Sequence, residues 1–301
     1  MSRYAGVMRS AQRFIPAVLA MAFWATNFVF SVSAINAVGP VQLTGARWLL
    51  SLILLVPIAL FTEHPDWSVI RGEWKLHLVQ SILGYSGYTL LLYFALQSTS
   101  SFSASIIVAL NPAMISIGAR LIHKENLSSR AVFGIVVSFI GALVVVLGSG
   151  AGGEVSFAFG DLLIVLSSIV WTAYVMISPR VVTPPITATT VQAGMAGLVM
   201  IPFMAVDLAL GNVGWGTLQA VDWFGILWIG LAPSAAAYFL WNISSEKIGP
   251  TKTGAFLNLI PVFTALLVVA LGGTITVLQI LGGVVVLVGV SVTNSTAQAA
   301  K

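Results

Sequence analysis

Apolar residues gather into ten stretches along the chain, and polar and charged positions fall mainly between them. The stretches run at 14–34, 41–61, 76–97, 101–121, 129–148, 158–178, 187–210, 222–242, 251–271 and 276–293. A helix of about 20 apolar residues matches a hydrocarbon core of roughly 30 Å. The pattern therefore predicts an all-α membrane protein with ten transmembrane helices joined by short connections.

The connections between these stretches alternate in charge. Arg71 and Lys75 lie in one connection and Arg180 in another, whereas the intervening connections carry acids such as Asp207 and Asp222, or no charge. Because cytoplasmic connections hold an excess of Lys and Arg, we expect both termini in the cytoplasm. The first stretch is longer than the roughly 7–15 residues of a signal-peptide core, so we expect it to be retained.

Composition narrows the class of protein further. Hydrophobic residues make up 58% of the chain and charged residues 7%, which is too apolar for a soluble domain of this length. The net charge of +4 fits the excess of cytoplasmic cations in a membrane protein, so no nucleic-acid partner is expected. The chain contains no cysteine, which excludes disulfides and thiolate metal sites.

An internal repeat organises the chain. Asn111-Pro112 in the fourth stretch corresponds to Ile260-Pro261 in the ninth, and Gly134 follows the first proline at about the same interval as Gly283 follows the second. The predicted units are a terminal segment at 1–13, a first repeat at 14–148, a linker at 149–157, a second repeat at 158–293 and a terminal segment at 294–301. Five spans per repeat require the second repeat to be inverted, an arrangement typical of secondary transporters whose site lies at mid-membrane. A duplication that only enlarged a helical bundle is the alternative.

Several of these motifs together resemble a known family. They are Trp24-x-x-Asn27, Arg47, Pro112, Lys124-Glu125, Gly134 and Gly141. They are similar to those of the EamA-type proteins of the drug/metabolite transporter superfamily, and most like the YddG-type amino-acid exporters of bacterial inner membranes. The resemblance covers nearly the whole chain. It implies ten helices around a central cavity through which substrates move outward.

The chain offers little material for catalysis. Its acids lie in connections or at the ends of spans, its three histidines are far apart, and no glycine-rich nucleotide loop occurs. We therefore expect no enzyme activity, no catalytic residue, no metal site and no cofactor.

Arg47 is the one cation well inside an apolar stretch. A charge at membrane depth costs on the order of 3 kcal/mol and often marks a functional site. Attraction of a substrate carboxylate is one interpretation of this residue. The alternatives are a side chain that extends to the outer surface or one that pairs with an acid such as Asp161.

Aromatic and amide side chains within the spans are the second candidate set. Lipid offers them no hydrogen-bond partner, so we expect them to face inward and to line a neutral, amphipathic substrate cavity. Hydrogen bonding between helices or a place at the membrane interface is the alternative. The set comprises Trp24, Asn27, Tyr85, Tyr88, Asn111, Trp171, Tyr174, Tyr238, Asn242 and Asn258.

Proline and glycine complete the pattern. Pro112 and Pro261 lie near the centres of their stretches, where each removes a backbone hydrogen bond, and we expect them to act as hinges. A simple bend without a role in transport is the alternative. Small residues of the fifth and tenth stretches, including Gly141 and Gly289, are predicted to pack helices closely within the bundle, and a homodimer contact is the lesser possibility.

The sequence thus predicts a bacterial inner-membrane secondary transporter that works by alternating access. Its expected substrates for export are amino acids, chiefly aromatic and other neutral ones, and similar small metabolites. Apart from these small molecules and the lipid bilayer, no partner is implied. A multidrug or quaternary-ammonium exporter of the same fold is one alternative, and a non-transporting membrane scaffold or sensor is another.

Overall fold

The computed structural model describes residues 14–122, 124, 128–147, 158–211, 215–248, 253 and 256–297. That part of the chain is helical and contains no strand. The helices are α1 (Ile15–Thr62), α2 (Trp67–Gly72), α3 (Trp74–Ala95), α4 (Ser101–Ile122), α5 (Ser129–Leu147), α6 (Phe159–Ile177), α7 (Pro185–Ala209), α8 (Ala220–Ser244), α9 (Leu259–Ala270) and α10 (Val277–Ala297). The predicted segments 1–13 and 149–157 lie outside the described residues, as does Glu125.

Six of the described helices are long and apolar enough to cross a membrane. They are α1, α3, α4, α6 with the turn that follows it to Arg180, α7 and α8. Shorter apolar helical ranges lie at Ser129–Val145, Phe256–Ala270 and Val277–Val292, in the regions of α5, α9 and α10. Each predicted apolar stretch overlaps one of these helices, with the first two stretches sharing α1. The chain is therefore a helical, multi-pass membrane protein.

The first two stretches are not separated by a loop, contrary to the sequence prediction of a connection at 35–40. The helix continues to Val38, and only Gly39 leaves helical geometry, at φ 78° and ψ 162°. Glycine tolerates this positive φ, and Pro40 suits the first position of the helical arm that follows. A single-residue break between Ile15 and Thr62 thus replaces the expected loop.

Helical geometry is interrupted at corresponding places in the two predicted repeats. A π-helical turn occupies Ser81–Gly87 within α3, and another occupies Ala232–Ala236 within α8. Pro233 has no N–H, so the carbonyl of Ile229 loses its usual helical donor. The hydroxyl of Ser234 donates to that carbonyl at 2.7 Å, just as Ser86 donates to Ser81 at 3.0 Å.

Close backbone contact joins α5 to α10. A Cβ added at Gly289 would lie 2.5 Å from the backbone nitrogen of Ser138 and 2.7 Å from the carbonyl oxygen of Gly134. One added at Gly141 would lie 2.6 Å from the backbone nitrogen of Val286. The small residues of these two helices therefore pack against each other inside the molecule.

Two acidic residues near the predicted cytoplasmic face hold the segment that leads into α7, and we call this pair the Glu63–Glu73 clamp. Glu63 accepts hydrogen bonds from the backbone N–H groups of Ile186 at 3.0 Å and Thr187 at 2.7 Å, which caps a helix that has no side-chain cap of its own. Glu73 accepts from the hydroxyl of Thr183 at 2.6 Å and from two backbone N–H groups beside it.

The electrostatics of Glu73 follow from these contacts. Partial burial acts to raise its pKa, but the hydrogen bonds from Thr183 and Val182, together with nearby His77, outweigh burial and lower the pKa below its ordinary value. The ionised form of Glu73 is therefore the one that stabilises the fold.

Gly289→Ala should force α5 and α10 apart. We expect the free energy of unfolding to fall by about 1–3 kcal/mol, the usual cost of overpacking. Gly225→Ala is the matched control, because a Cβ there meets nothing within 4 Å and alanine favours a helix by up to about 1 kcal/mol. Thermal unfolding in detergent measures both, and equal stability of the two variants would contradict the packing described.

Glu73→Gln should lower the free energy of unfolding by about 1.5–3 kcal/mol at pH 7, the contribution of a hydrogen bond to a charged group. Because the pKa of Glu73 is lower in the folded state, its stabilisation is present above about pH 4.3 and is lost as the pH falls through the folded value. Thermal unfolding of wild type and variant at pH 7 and pH 3 measures this. A difference as large at pH 3 as at pH 7 would show that the charge of Glu73 is not involved.

Candidate functional site

A cavity lies among helices of both predicted repeats. Its wall comes from α1, α3 and α4 of the first repeat and from α6, α8 and the start of α9 in the second. The volume of the cavity is about 70 Å³, which is enough for several water molecules. The cavity is therefore a candidate binding site for a small molecule.

Seven of the residues proposed from sequence line this cavity. They are Trp24, Asn27, Arg47, Tyr88, Asn111, Trp171 and Tyr238. Tyr85, Tyr174, Asn242 and Asn258 do not line it. The structure thus brings together residues that are distant in sequence, and it separates the predicted set into a lining group and a group outside it.

Tyr85 and Tyr174 lie behind the wall, within a chain of aromatic contacts. The Tyr85 ring is fully buried, with its centroid 4.7 Å from that of Trp48 and 5.7 Å from that of Tyr238. Tyr174 lies 5.9 Å from Tyr85 and 4.9 Å from Trp171. Offset or edge-to-face ring pairs at such distances stabilise packing by about 0.5–1.5 kcal/mol beyond area burial. These tyrosines therefore support the aromatic wall from behind.

The wall itself is mostly apolar and aromatic, with a few fixed polar groups. Trp24 forms an edge-to-face contact with Tyr238 at 5.5 Å and donates its indole N–H to the carbonyl of Pro233 at 3.1 Å. Tyr88 packs against Trp171 with 5.1 Å between ring centroids. Such a surface suits a ligand with an apolar body and a small polar part.

Arg47 lies in the wall with only 4% of its surface exposed. Its Nε donates to the hydroxyl of Ser234 at 2.8 Å, and its Nη1 donates to Asn27 Oδ1 at 3.0 Å and to the hydroxyl of Tyr93 at 2.6 Å. Tyr93 in turn donates to Asn27 Oδ1 at 2.9 Å. The guanidinium carbon also lies 4.6 Å from the centroid of the Trp48 ring. Neutral groups from both arms of α1, from α3 and from α8 therefore position this charge.

The structure shows neither of the alternatives considered for Arg47. Its side chain is buried, so it does not extend to a surface. Asp161 accepts instead from the hydroxyl of Thr99 at 2.5 Å and from the backbone N–H of Ala158 at 3.3 Å. Among the described residues Arg47 forms no ion pair.

The sequence interpretation missed several members of the site. Trp48, Thr89 and Ser105 line the cavity, and Tyr93 and Ser234 hold Arg47. Trp48 follows Arg47 directly, and a polar-tipped ring beside a buried cation was an available signal. Nothing in the spacing along the chain pointed to Ser234, because it lies opposite Arg47 only in the folded structure.

Comparison with known proteins decides the family. The sequence model of the EamA-like transporter family matches the chain twice, over residues 14–147 and 158–295. The chain belongs to the EamA-like transporter family. It is therefore a membrane transporter. The match establishes the broader of the two resemblances seen in its motifs, that to the EamA-type proteins.

Individual relatives agree with the family assignment. The chain is 30% identical over 275 residues to the uncharacterized transporter YyaM of Bacillus subtilis (strain 168). The aligned region covers 89% of this chain and 88% of that protein. It is 26% identical to an uncharacterized transporter of Archaeoglobus fulgidus, over 92% of this chain and 95% of that one. A crystal structure at 21% identity superposes with a TM-score of 0.68 over 97% of this chain and 99% of that one, which shows a shared fold.

In this EamA-like transporter the two prolines proposed as hinges each lie just after a short stretch of backbone that is not α-helical. The α-helical part of α4 ends at Val108 and resumes at Asn111, beside Pro112. A 3-10 turn at Phe256–Asn258 precedes α9 and Pro261. Residues next to both interruptions line the cavity, so a change of angle at either would alter the shape of the cavity.

Pro112→Ala should allow the backbone to close the gap in α4 and stiffen it. If bending there accompanies transport, the turnover number should fall several-fold while the KM changes little. The reason is that a stiffer helix slows the conformational step and leaves substrate binding unaltered. Initial rates of transport in reconstituted vesicles across a range of substrate concentrations separate the two parameters. Unchanged turnover in both Pro112→Ala and Pro261→Ala would leave the prolines with a packing role alone.

Proposed function

We propose that this transporter exports amino acids across a bacterial inner membrane, with aromatic and other neutral amino acids as its main substrates. One observation carries the proposal: a cavity has an aromatic wall in which Arg47 is the one buried Lys or Arg among the described residues. The wall suits an apolar side chain, and the few polar groups suit the small charged end of an amino acid. The specificity follows the resemblance to YddG-type amino-acid exporters.

The proposed architecture has ten membrane crossings in two inverted five-helix repeats, 14–148 and 158–293. Support comes from the two separate matches of the family model and from π-helical turns at corresponding places in α3 and α8. A break within α4 and a 3-10 turn before α9 also lie at corresponding places. The alternation of cations between connections supports cytoplasmic termini. In this arrangement the cavity lies between the repeats, as in other transporters built from inverted repeats.

Transport in this proposal follows alternating access. The interrupted helices bend at the cavity wall, which opens the cavity toward one side of the membrane at a time. Near the predicted cytoplasmic face, the Glu63–Glu73 clamp links the end of α1 and the start of α3 to the start of α7. Opening on that side therefore requires these hydrogen bonds to break or to move with α7.

A quaternary-ammonium exporter is the second candidate, because aromatic rings also bind such cations. Arg47 disfavours it, since a cation entering the cavity would meet the positive charge of a guanidinium, and no carboxylate is among the described residues that line the cavity. A non-transporting scaffold or sensor is the third, and it predicts no flux for any solute.

Flux through purified protein in vesicles distinguishes the three candidates. We expect export of labelled phenylalanine and leucine above that of empty vesicles, and little or no export of ethidium or tetraphenylphosphonium. Tyr88→Ala should raise the KM for phenylalanine about fivefold, because the lost ring contact is worth on the order of 1 kcal/mol. Trp223→Ala is the control, since this residue is 43% exposed and does not line the cavity. Flux of the cations but not the amino acids would replace the proposal with the second candidate.

A further inference from the structure

The guanidinium of Arg47 has unused donors. A guanidinium carries five N–H groups, and the bonds to Ser234, Asn27 and Tyr93 engage the N–H of Nε and the two of Nη1. Within the described part of the chain no residue accepts a hydrogen bond from Nη2. Two N–H groups of a side chain that lines the cavity are therefore left for another acceptor.

No carboxylate of the described residues compensates the charge of Arg47. Its partners are an amide oxygen and two hydroxyls, which orient the guanidinium but carry no negative charge. Removing a cation from water without a counter-charge is costly. The rings of Trp48 and Tyr93, with centroids at 4.6 Å and 5.5 Å from the guanidinium carbon, offset part of that cost. A carboxylate that entered the cavity would supply both the missing acceptors and the missing charge.

The same cavity offers an acceptor for an ammonium group. Asn111 lines the wall, and its Oδ1 is buried without a hydrogen-bond partner among the described residues. Trp24, Tyr88 and Trp171 add aromatic surface to the cavity wall, and an aromatic wall favours a cationic group over a second anion. One cation and one free acceptor on an aromatic wall match a zwitterion better than a dianion such as a phosphate ester.

We propose that Arg47 binds the carboxylate of the transported molecule and that Asn111 accepts a hydrogen bond from its ammonium group, an inference that rests on the proposed amino-acid function. Arg47 is then the residue that determines specificity for carboxylate-bearing substrates. Asn27, Tyr93 and Ser234 act through it as positioning residues, because they fix Nε and Nη1 and leave Nη2 toward the ligand.

The test is equilibrium binding of a matched ligand series to the detergent-purified protein, by isothermal titration calorimetry. The series is L-phenylalanine, L-phenylalaninamide, phenethylamine and 3-phenylpropionate, which share the aromatic ring and differ in the charged groups. For wild type we expect the two ligands without a carboxylate to bind at least about tenfold more weakly than phenylalanine, the usual effect of losing a hydrogen bond to a charged group. Equal affinities across the series would overturn the proposal.

Variants assign the effect to Arg47. Arg47→Met should weaken binding of phenylalanine and 3-phenylpropionate at least about tenfold and leave phenethylamine unchanged or tighter, whereas Arg47→Lys, which keeps the charge, should restore part of the affinity. A purely structural role predicts that all four ligands weaken together in Arg47→Met, and that result would overturn the proposal. If Arg47→Met does not fold, the wild-type series and Arg47→Lys decide.

The binding experiment and the flux experiment distinguish failure of the Arg47 assignment from failure of the proposed transport function. Carboxylate-dependent binding without flux in vesicles would leave the assignment of Arg47 standing and remove the transport of amino acids. Flux of amino acids with no dependence of binding on the carboxylate would leave amino-acid transport standing and overturn the assignment of Arg47.

Asn111→Leu tests the proposed ammonium site. The variant should bind phenylalanine and phenethylamine more weakly than wild type, and its affinity for 3-phenylpropionate should be unchanged.

Discussion

A positive charge held away from water by neutral groups is the interaction on which the centre of this molecule depends. Arg47 forms hydrogen bonds to Asn27 on the other arm of α1, to Tyr93 on α3 and to Ser234 on α8. It therefore joins three helices at the cavity wall. Each partner is neutral, and the same contacts that hold the helices together also fix the orientation of the guanidinium in the cavity wall.

The need to satisfy backbone polar groups inside a membrane explains the surroundings of that charge. Pro233 leaves the carbonyl of Ile229 without its helical donor, and in lipid an unsatisfied carbonyl costs several kcal/mol. Ser234 meets the need by donating to that carbonyl, and its oxygen then accepts from Arg47. The π-helical turn at Ala232–Ala236 is thus part of the site, in keeping with the frequent occurrence of such turns at functional places.

The sequence predicted the helical class and the positions of the apolar segments, because hydrophobic length and period are local properties of a chain. It predicted Trp24, Asn27 and Tyr88 as cavity residues because a polar tip within an apolar span must face inward. It did not predict the single-residue break at Gly39, since a glycine-proline pair is compatible with both a loop and a tight turn.

The partners of Arg47 lay beyond sequence reasoning for a physical reason. Tyr93 and Ser234 contact Arg47 only because α3 and α8 pack against α1. Which side chains meet there depends on the rotation of each helix about its axis, and the apolar pattern of a membrane helix does not define that rotation. Asp161 was a reasonable candidate by charge alone. In the fold it accepts hydrogen bonds from Thr99, just beyond the end of α3, and from the backbone of Ala158, and it does not pair with Arg47.

Accessibility of one cysteine tests the central claim that the cavity is the substrate path. Thr89 lines the cavity and is 1% exposed, cysteine is close to it in size, and the chain has no native cysteine. In Thr89→Cys, an impermeant thiol reagent should react slowly from each side, in right-side-out and in inside-out vesicles, and saturating phenylalanine should slow both reactions. A cysteine at exposed Ser68 should react from the cytoplasmic side alone and be unaffected by phenylalanine. Reaction of Thr89→Cys from neither side, or at rates that phenylalanine does not change, would contradict the account.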